Sequence, residues 1–470
     1  MRGGNIPPLP FIAVILIAAA CHEGPKAETG GPDTHDPQVP AGAIAPDDIV
    51  YLGAFTLPVG SERPETFAYG GNAMAFRADG DPQGAADGYE GSLLVMGHDR
   101  IAWELPGGGL VAEVTIPAPV DSGEVSDLNR AEFVHGFADV TDGVFEGKDE
   151  VPHIGMVWID APETGPLVHL GWGVHFEDGS LPTHAAFSPD LDAPATRGPY
   201  FLGTSTPFTT GYMLALPDGW AATHAEGRVV GTGQFRDGGW SGKGPSVFAY
   251  EPWTDAAGTM AEAGSTLPVT ELLHYESTET NEDITSRSME GFQDPDQWEG
   301  AAWVEVGDRA ALIFAGTKAT GARNWYGYLD ASDPGSPCVD VKFVGQFTTC
   351  WTDQGQPCPA DELGGCEDPS SYRGWWSSSF DAWFLLYDPA DLAAVASGDL
   401  EPWSPQPYAS LDLDDHLILQ SGVEAVAIGS GAQRAYRIGA MALDAEHRRL
   451  YVLELFAEDV APVIHVFEVR

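Results

Sequence analysis

The sequence predicts an all-β protein that forms a single β-propeller, and three observations support this fold class. The 57 glycines and 37 prolines are spread along the 470 residues, which indicates many tight turns between short strands. Short apolar segments recur in pairs along the chain. The last pair is incomplete, and a matching segment occurs near the N-terminus. This is expected when a ring of like units closes and so removes two exposed sheet edges.

Seven pairs can be counted, with five, six or eight blades as alternatives. The first segment of each pair is a short apolar strand that ends in an acid or a proline, at 112–117, 155–162, 212–217, 246–252, 325–330, 382–389 and, less cleanly, 463–469. The second segment follows at 132–137, 168–176, 229–235, 271–275, 343–347 and 408–413. The partner of 463–469 is the N-terminal segment 50–55, which we expect to join the C-terminal blade.

Two further strands precede the pair in four of these units. A strand of small residues, suited to the crowded centre of a propeller, is followed by an apolar strand. These strands lie at 71–76 and 92–98, 183–187 and 200–204, 300–304 and 310–318, and 439–443 and 449–455. Helix signals are nearly absent, and only one short helix is expected, at 391–397.

The N-terminus has the features of an export signal. Arg2 is followed by a ten-residue apolar run at 11–20, which is too short to span a bilayer but suits a signal peptide. The segment from Ala18 to Cys21 resembles the lipobox of bacterial lipoproteins, and an ordinary cleaved signal is the alternative. The resemblance implies a signal peptide at 1–20, lipidation of Cys21, and a lipoprotein at the outer membrane or cell surface that contacts the membrane only through its lipid anchor. Residues 21–46 are expected to be a flexible tether and 47–470 the propeller domain.

The four cysteines other than Cys21 lie close together in the sequence. Cys338, Cys350, Cys358 and Cys366 fall within 29 residues, and in an oxidising compartment this predicts two disulfides, with three connectivities open. A zinc site is the alternative, but no pair has C-x2-C spacing. We therefore expect a disulfide-bonded insertion at about 331–372.

The charge of the chain limits the classes of partner. Its 70 acidic and 22 basic residues give a formal net charge of −48, which repels phosphate backbones, so nucleic-acid binding is excluded. Solubility explains such a surface, and attraction of cations is the alternative. An extracellular glycan or protein is the expected partner.

Several segments resemble a family of secreted bacterial proteins to which no activity has been assigned. They are 51–55 (YLGAF), 69–71 (YGG), 92–99 (SLLVMGHD), 298–303 (WEGAAW), 312–318 (LIFAGTK), 325–327 (WYG) and 387–392 (YDPADL). The resemblance covers nearly everything after residue 49. It implies one domain and supplies no catalytic residue.

Common catalytic signatures are absent from the sequence. It contains no G-x-S-x-G, H-E-x-x-H or P-loop motif, which disfavours the usual serine hydrolases, zincins and nucleotide enzymes. The repeats instead predict a site at one mouth of the central channel, where second strands end at or beside His98, Thr204, Lys318 and Glu454. The expected binding residues are Tyr69, His98, Asp99, His184, Lys243, Glu290, Lys318, Trp325, Arg373 and Glu454, with Trp298 and Trp375 as further aromatic walls.

Three hypotheses for function follow. The first is a binding or scaffold propeller that presents the channel mouth to a glycan, a peptide or a partner protein. The second is a lyase or hydrolase acting on an extracellular anionic polysaccharide, with His98 or His184 as the base and Lys318 or Arg373 neutralising an acid group. The third is a structural subunit of an envelope complex, which would expose a broad apolar patch.

No cofactor is indicated except a weak calcium site. Asp79, Asp81, Asp87 and Glu90 form a glycine-rich acidic loop whose oxygens suit calcium. The spacing is not that of an EF-hand, and solvated loop acids are the alternative.

Overall fold

Short strands joined by tight turns account for most of the chain. The computed structural model describes residues 39–62, 64–81, 84, 88–97, 109–145, 153–173, 181–204, 211–234, 240, 242–253, 261–278, 281, 286–321, 324–327, 340–344, 347–351, 357–358, 374–377, 379–419 and 437–470.

Within these residues there are 27 strands and two α-helices. The strands are β1 (Ile49–Thr56), β2 (Met74–Arg77), β3 (Ser92–Met96), β4 (Leu110–Val114), β5 (Asn129–Arg130), β6 (Phe133–Asp139), β7 (His153–Ala161), β8 (Gly165–Gly173), β9 (His184–Phe187), β10 (Arg197–Leu202), β11 (Gly211–Ala215), β12 (Val230–Gln234), β13 (Val247–Tyr250), β14 (Thr266–Leu267), β15 (Val269–Leu273), β16 (Gln297–Val306), β17 (Arg309–Ala319), β18 (Asn324–Gly327), β19 (Asp340–Val344), β20 (Phe347–Trp351), β21 (Pro357–Cys358), β22 (Gly374–Ser377), β23 (Phe380–Tyr387), β24 (Ala409–Asp412), β25 (Ile438–Asp444), β26 (Arg449–Glu458) and β27 (Ala461–Val469). The helices are α1 (Asp218–His224) and α2 (Pro389–Ser397).

Five sheets form the blades of a β-propeller. From the inner strand outward, blade 1 is β2-β3-β4-β6, blade 2 is β7-β8-β9-β10 with β14, blade 3 is β11-β12-β13-β15, blade 4 is β16-β17-β23-β24, and blade 5 is β25-β26-β27-β1 with β5. The five inner strands contact one another in the cyclic order β2, β7, β11, β16, β25 and back to β2. The all-β propeller expected from the sequence is therefore confirmed.

The first strand of the propeller lies in the same sheet as the last. Strand β1 pairs antiparallel with β27, so that Phe55 is opposite Ile464 and Ile49 is opposite Val469. The pairing gives β27 a neighbour on both sides, since β26 flanks its other edge.

Apolar side chains on the faces of adjacent blades pack into a separate core cluster at each junction between blades. Aromatic contacts mark three of these junctions, with ring centroids 5.5 Å apart for Tyr212 and Phe314, 5.2 Å for Phe384 and Phe467, and 6.0 Å for Phe76 and Tyr451. Burial of each such ring contributes about 1.5–3 kcal/mol, so contacts between blades hold the ring together.

The blade count expected from the sequence was wrong: there are five blades, not seven. The segments near 155–162 and 168–176 are the first two strands of blade 2, and those near 183–187 and 200–204 are its next two. Blade 3 was likewise divided into two units, 212–235 and 246–275. The count was wrong because neighbouring antiparallel strands of one blade carry the same alternation of apolar residues as strands of different blades. The sequence therefore does not mark where one blade ends and the next begins.

The fifth predicted pair, 325–330 and 343–347, belongs to a sheet outside the blades. Strands β18 to β22 follow β17 and precede β23 in the sequence, and β19, β20, β18 and β22 form one sheet, with β21 paired to β20. This sheet is an insertion within blade 4, and it spans more of the chain than the predicted 331–372.

Both helices lie on the connections between strands. Helix α2 corresponds to the short helix expected at 391–397. It is capped at its N-terminus by Asp388, whose side chain accepts a hydrogen bond from the backbone N–H of Ala390. Helix α1 was not predicted. No helix in the described part of the chain is long and apolar enough to cross a bilayer.

Candidate functional site

A cavity of about 470 Å³ lies between the inner strands of the propeller. Its walls come from β2, β7, β11, β16 and β25, mainly from the later residues of each strand and the turns that follow. Four methionines, Met74, Met156, Met213 and Met441, and two tryptophans, Trp158 and Trp303, contribute to the lining. A cavity of this size with mostly apolar walls is typical of a small-molecule site.

Glycines explain why the channel is narrow next to this cavity. A Cβ atom at Gly155 would lie 2.8 Å from the backbone of Tyr212, and one at Gly300 would lie 2.5 Å from the Cβ of Met441. At these positions adjacent inner strands approach too closely for a side chain. Further along the same strands the larger methionine and tryptophan side chains separate the backbones and leave the cavity between them.

The rim of the cavity is acidic. Glu90, Asp160, Asp218 and Glu446 are exposed and line it. A fifth acid, Asp444, is buried, and its Oδ2 lies 2.8 Å from Nδ1 of His447. No lysine or arginine is among the described residues that line the cavity, so its field favours a positively charged ligand.

The two tryptophans contribute to the lining of this cavity, but most of each side chain is buried. Trp303 is only 3% exposed, and its ring centroid lies 4.6 Å from that of Trp220. The indole nitrogens of Trp158 and Trp303 have no hydrogen-bond acceptor in the described part of the chain. Buried indole N–H groups normally have a partner, but these two nitrogens are not exposed to the cavity.

The predicted site lies at the other end of the channel. Thr317, which precedes Lys318, pairs with Gln297 at the start of inner strand β16, and Glu454 pairs with Ile438 at the start of β25. None of the predicted binding residues that the structure describes lines the cavity. Thr204 follows β10, the fourth strand of blade 2, and not a second strand.

Lys243 and Lys318 do lie at this end, but both are buried beside acids. The Nζ atom of Lys318 lies 2.9 Å from Oδ1 of Asp296, and Lys243 donates to the backbone oxygen of Asn281. Burial raises the pKa of Asp294 to about 7; the nearby Asp296 also raises it, while Lys243 lowers it. The lysines are thus part of an internal charge cluster, and neither is an exposed cation at an open mouth.

Glu454 also takes part in a buried network. Its Oε2 lies 2.9 Å from Nε2 of His465 and accepts a hydrogen bond from the backbone N–H of Ile418. The Nδ1 atom of His465 lies 3.0 Å from the hydroxyl of Tyr51. Glu454 and His465 are completely buried, so this network joins strands and does not present a free carboxylate.

His184 is sealed between blades 2 and 3. It is fully buried, with Nε2 3.1 Å from Oγ1 of Thr232 and Nδ1 2.9 Å from Oγ1 of Thr183. Burial lowers the pKa of His184 to about 3, and His169 contributes to this shift. A sealed imidazole of such low basicity does not suit the role of general base.

The remaining predicted residues are scattered or lie outside the described residues. Tyr69 is half-buried with its ring near Phe456, Glu290 is exposed, and Trp298 is buried within the core. The backbone of Trp325 lies in β18 and is paired with Trp376 of β22. Trp375 precedes Trp376 in the same strand. His98, Asp99, Arg373, Asp87, Cys21, Cys338 and Cys366 lie outside the described residues.

Specific observations bear on the predicted calcium site and on the apolar patch expected of a structural subunit. Asp79 is paired with Arg77 at 2.8 Å, and no group of three or more potential metal ligands occurs among the described residues. The large apolar side chains exposed in the described part of the chain are Val59, Phe133, Val134 and Trp240, which do not make up a broad patch.

Sequence reasoning missed the residues that form the cavity, although a signal was present. Four of the eight methionines in the chain stand in or at the edge of inner strands, at Ala73-Met74, Gly155-Met156, Tyr212-Met213 and Ala440-Met441. The recurrence of methionine after a small residue or a tyrosine could have marked the inner strands and the cavity they enclose.

No protein-family model matches the chain, and no curated protein is similar to it.

Proposed function

We propose that the protein is a binding propeller whose central cavity takes a small organic cation. The observation that carries this proposal is the combination of aromatic and thioether walls with a rim of carboxylates and no lysine or arginine among the described lining residues. A free amine, a quaternary ammonium group, or the lysine or arginine side chain of a peptide has the required chemistry.

Each part of the cavity suits one part of such a ligand. A cation over the face of Trp158 or Trp303 gains about 0.5–2 kcal/mol from the ring quadrupole. Methionine side chains adapt to the alkyl groups of the ligand because they are unbranched and polarizable. The exposed acids at the rim draw a cation toward the opening and exclude anions.

An organic cation fits this site better than a bare metal ion. Glu90, Asp160 and Asp218 come from different blades, and no three potential metal ligands cluster among the described residues. Divalent metals need several oxygen, nitrogen or sulfur ligands at about 2.0–2.6 Å. Spread carboxylates instead stabilise a larger cation whose charge is shared over several atoms.

We further propose that the cell carries this propeller at its surface as a lipoprotein, anchored through Cys21. The apolar run at 11–20 and the lipobox-like segment before Cys21 support this location. Cell fractionation of wild type and Cys21→Ala tests it: the wild type should sediment with membranes and the variant should not. Retention of Cys21→Ala in the membrane fraction would contradict the lipid anchor.

Titration calorimetry with choline tests the binding function, with 3,3-dimethylbutan-1-ol, its uncharged isostere, as the matched ligand. We expect choline to bind and the alcohol to bind at least about tenfold more weakly, a difference of about 1.4 kcal/mol. Spermidine and agmatine extend the test to larger cations. If none of the three cations binds at millimolar concentration, or if the alcohol binds as well as choline, the proposal is wrong.

Two tryptophan variants locate the binding. Trp303→Leu removes a cavity wall, whereas Trp240→Leu alters a tryptophan that is 44% exposed and does not line the cavity. We expect only the first variant to lose affinity for the cation. Equal affinity in both would place the cation elsewhere.

A further inference from the structure

A second cavity, of about 510 Å³, lies against the outer strands of blade 2. Leu167 of β8, Ala186 of β9, and Arg197 and Tyr200 of β10 contribute to its lining. The opposite wall includes Pro252 and the segment 261–263. This outer cavity shares no lining residue with the central cavity.

Arg197 is an unusual cation in this protein. Its side chain has no hydrogen bond or ion pair among the described residues, whereas seven other arginines each contact an acid: Arg77, Arg130, Arg228, Arg287, Arg309, Arg437 and Arg470. The chain has only 22 basic residues against 70 acidic ones. Glu262 also lines the outer cavity, but it forms no ion pair with Arg197, so the guanidinium group remains free to bind an anion.

The strand register places a buried polar side chain beside this arginine. Ala186 pairs with Arg197 on one side and with His169 on the other, and directly paired residues of antiparallel strands point to the same face. The three residues therefore form a row across the blade. Ala186 and Arg197 line the outer cavity, whereas His169 is fully buried behind them.

His169 lacks a hydrogen-bond partner in the described part of the chain. Both of its ring nitrogens are buried and unpaired, and its ring centroid lies 6.4 Å from that of Trp253. Burial lowers the pKa of His169 to about 3, with a further contribution from the charge of Arg197, so the ring is neutral near pH 7 and keeps one N–H donor. Its buried nitrogens do not face the outer cavity, since His169 is not among the residues that line it.

We propose that the outer cavity binds a small carboxylate, with Arg197 as its ion-pair partner and the hydroxyl of Tyr200 as a second donor. An arginine presents a planar pair of donors that matches a carboxylate in two parallel hydrogen bonds. The hydroxyl of Tyr200 lies in the same lining and suits a polyhydroxylated body. A free sugar acid and the uronate end of an acidic glycan share this chemistry.

Titration calorimetry with D-glucuronate, on the full chain, tests the proposal, with D-glucose as the uncharged control. We expect glucuronate to bind and glucose to give no signal under the same conditions. A glucuronate-terminated disaccharide distinguishes the two sources, because it should bind at least as well as the monosaccharide if the natural ligand is a glycan end. Absence of glucuronate binding at millimolar concentration would overturn the proposal.

Two arginine variants assign the binding to this cavity. Arg197→Gln should weaken glucuronate binding at least about tenfold. Arg449→Gln is the matched control, since Arg449 donates to the backbone of Gly88 and lies over the ring of Tyr89, away from the outer cavity. Equal losses in the two variants, or no loss in Arg197→Gln, would show that the anion binds elsewhere.

Tyr200→Phe then tests the second donor. It should weaken glucuronate binding while Arg197 is intact, and unchanged affinity in the folded variant would remove the Tyr200 hydroxyl from the site. Choline binding in Arg197→Gln is expected to equal that of the wild type. The two proposed sites can therefore fail independently.

Discussion

The hydroxyl group of Tyr51 in the first strand lies 3.0 Å from Nδ1 of His465 in the last strand. The other nitrogen of that imidazole contacts Glu454, whose two oxygens accept the backbone N–H groups of Ile418 and Leu419. A single hydrogen-bonded chain thus ties both ends of the propeller domain to the loop that precedes blade 5.

Removal of the Tyr51 hydroxyl should destabilise the propeller. Tyr51→Phe leaves Nδ1 of His465 unpaired in a buried position, which costs about 1–2 kcal/mol. Tyr250→Phe is the matched control, because the buried hydroxyl of Tyr250 has no partner in the described residues, and its loss should be neutral or stabilising. Urea unfolding gives the free energy of unfolding of both variants. If the two variants lose equal stability, the hydrogen bond of Tyr51 does not stabilise the propeller.

Acid should destabilise the protein through its buried neutral histidines. The pKa of His184 is lowered to about 3 in the folded state, so between about pH 6.5 and 3 the unfolded chain binds a proton that the folded chain does not. Stability is therefore lost as pH falls through this window, by about 1.4 kcal/mol per pH unit for each such histidine. His184→Gln should lower stability at neutral pH and reduce this slope, which urea titrations from pH 7 to 4 would measure. An unchanged slope would contradict the burial argument.

Asp294, in the charge cluster with Lys243 and Lys318, should make stability depend on pH in the direction opposite to that of His184. Because the pKa of Asp294 is raised to about 7, the folded chain keeps a proton that the unfolded chain releases above about pH 4, and stability falls as pH rises from 4 to 7. Asp294→Asn removes this loss and should stabilise the protein at pH 8 by about 1–2 kcal/mol, after allowance for partial exposure. At pH 4 it should have little effect.

Asp296→Asn is the control for that variant. It leaves the buried ammonium group of Lys318 without its carboxylate, so it should destabilise the protein at pH 8 by about 3–5 kcal/mol. Chemical unfolding at pH 4 and pH 8 gives the free energy of unfolding of each variant and so distinguishes the roles of the two aspartates. Destabilisation of similar size in both variants would indicate that Asp294 is ionised and paired.

If the four cysteines form two disulfides, the backbone register of the inserted sheet favours one of the three predicted connectivities. Cys350 and Cys358 are direct partners on β20 and β21, and directly opposed residues of antiparallel strands have Cα atoms about 4.5–5.5 Å apart, within the range of a disulfide. We expect Cys350–Cys358 and hence Cys338–Cys366. Peptide mapping without reduction checks this, and a Cys338–Cys350 peptide would contradict it.

The sequence carried enough information for the fold class and for the ends of several strands. Alternating apolar residues and regular turns predicted the propeller, and Lys318 and Glu454 do stand at the same end of their strands. Their burial was not predictable, because their partner Asp296 lies just before β16 and their partner His465 lies in β27, and such tertiary pairing leaves no local pattern in the sequence. The cavity was missed for a related reason: Met156, Trp158 and Trp303 have the composition of ordinary core residues, and only the closed ring shows that they surround open space.

The central claim is that the cavity between the inner strands holds an organic cation, and a crystal structure with (2-bromoethyl)trimethylammonium tests it most directly. The anomalous scattering of bromine locates the ligand without reference to the protein. We predict a peak inside the cavity, with the ammonium group against Trp158 or Trp303 and toward the carboxylates of the rim. Anomalous peaks found only outside the cavity, at a ligand concentration well above the measured Kd for choline, would contradict the claim.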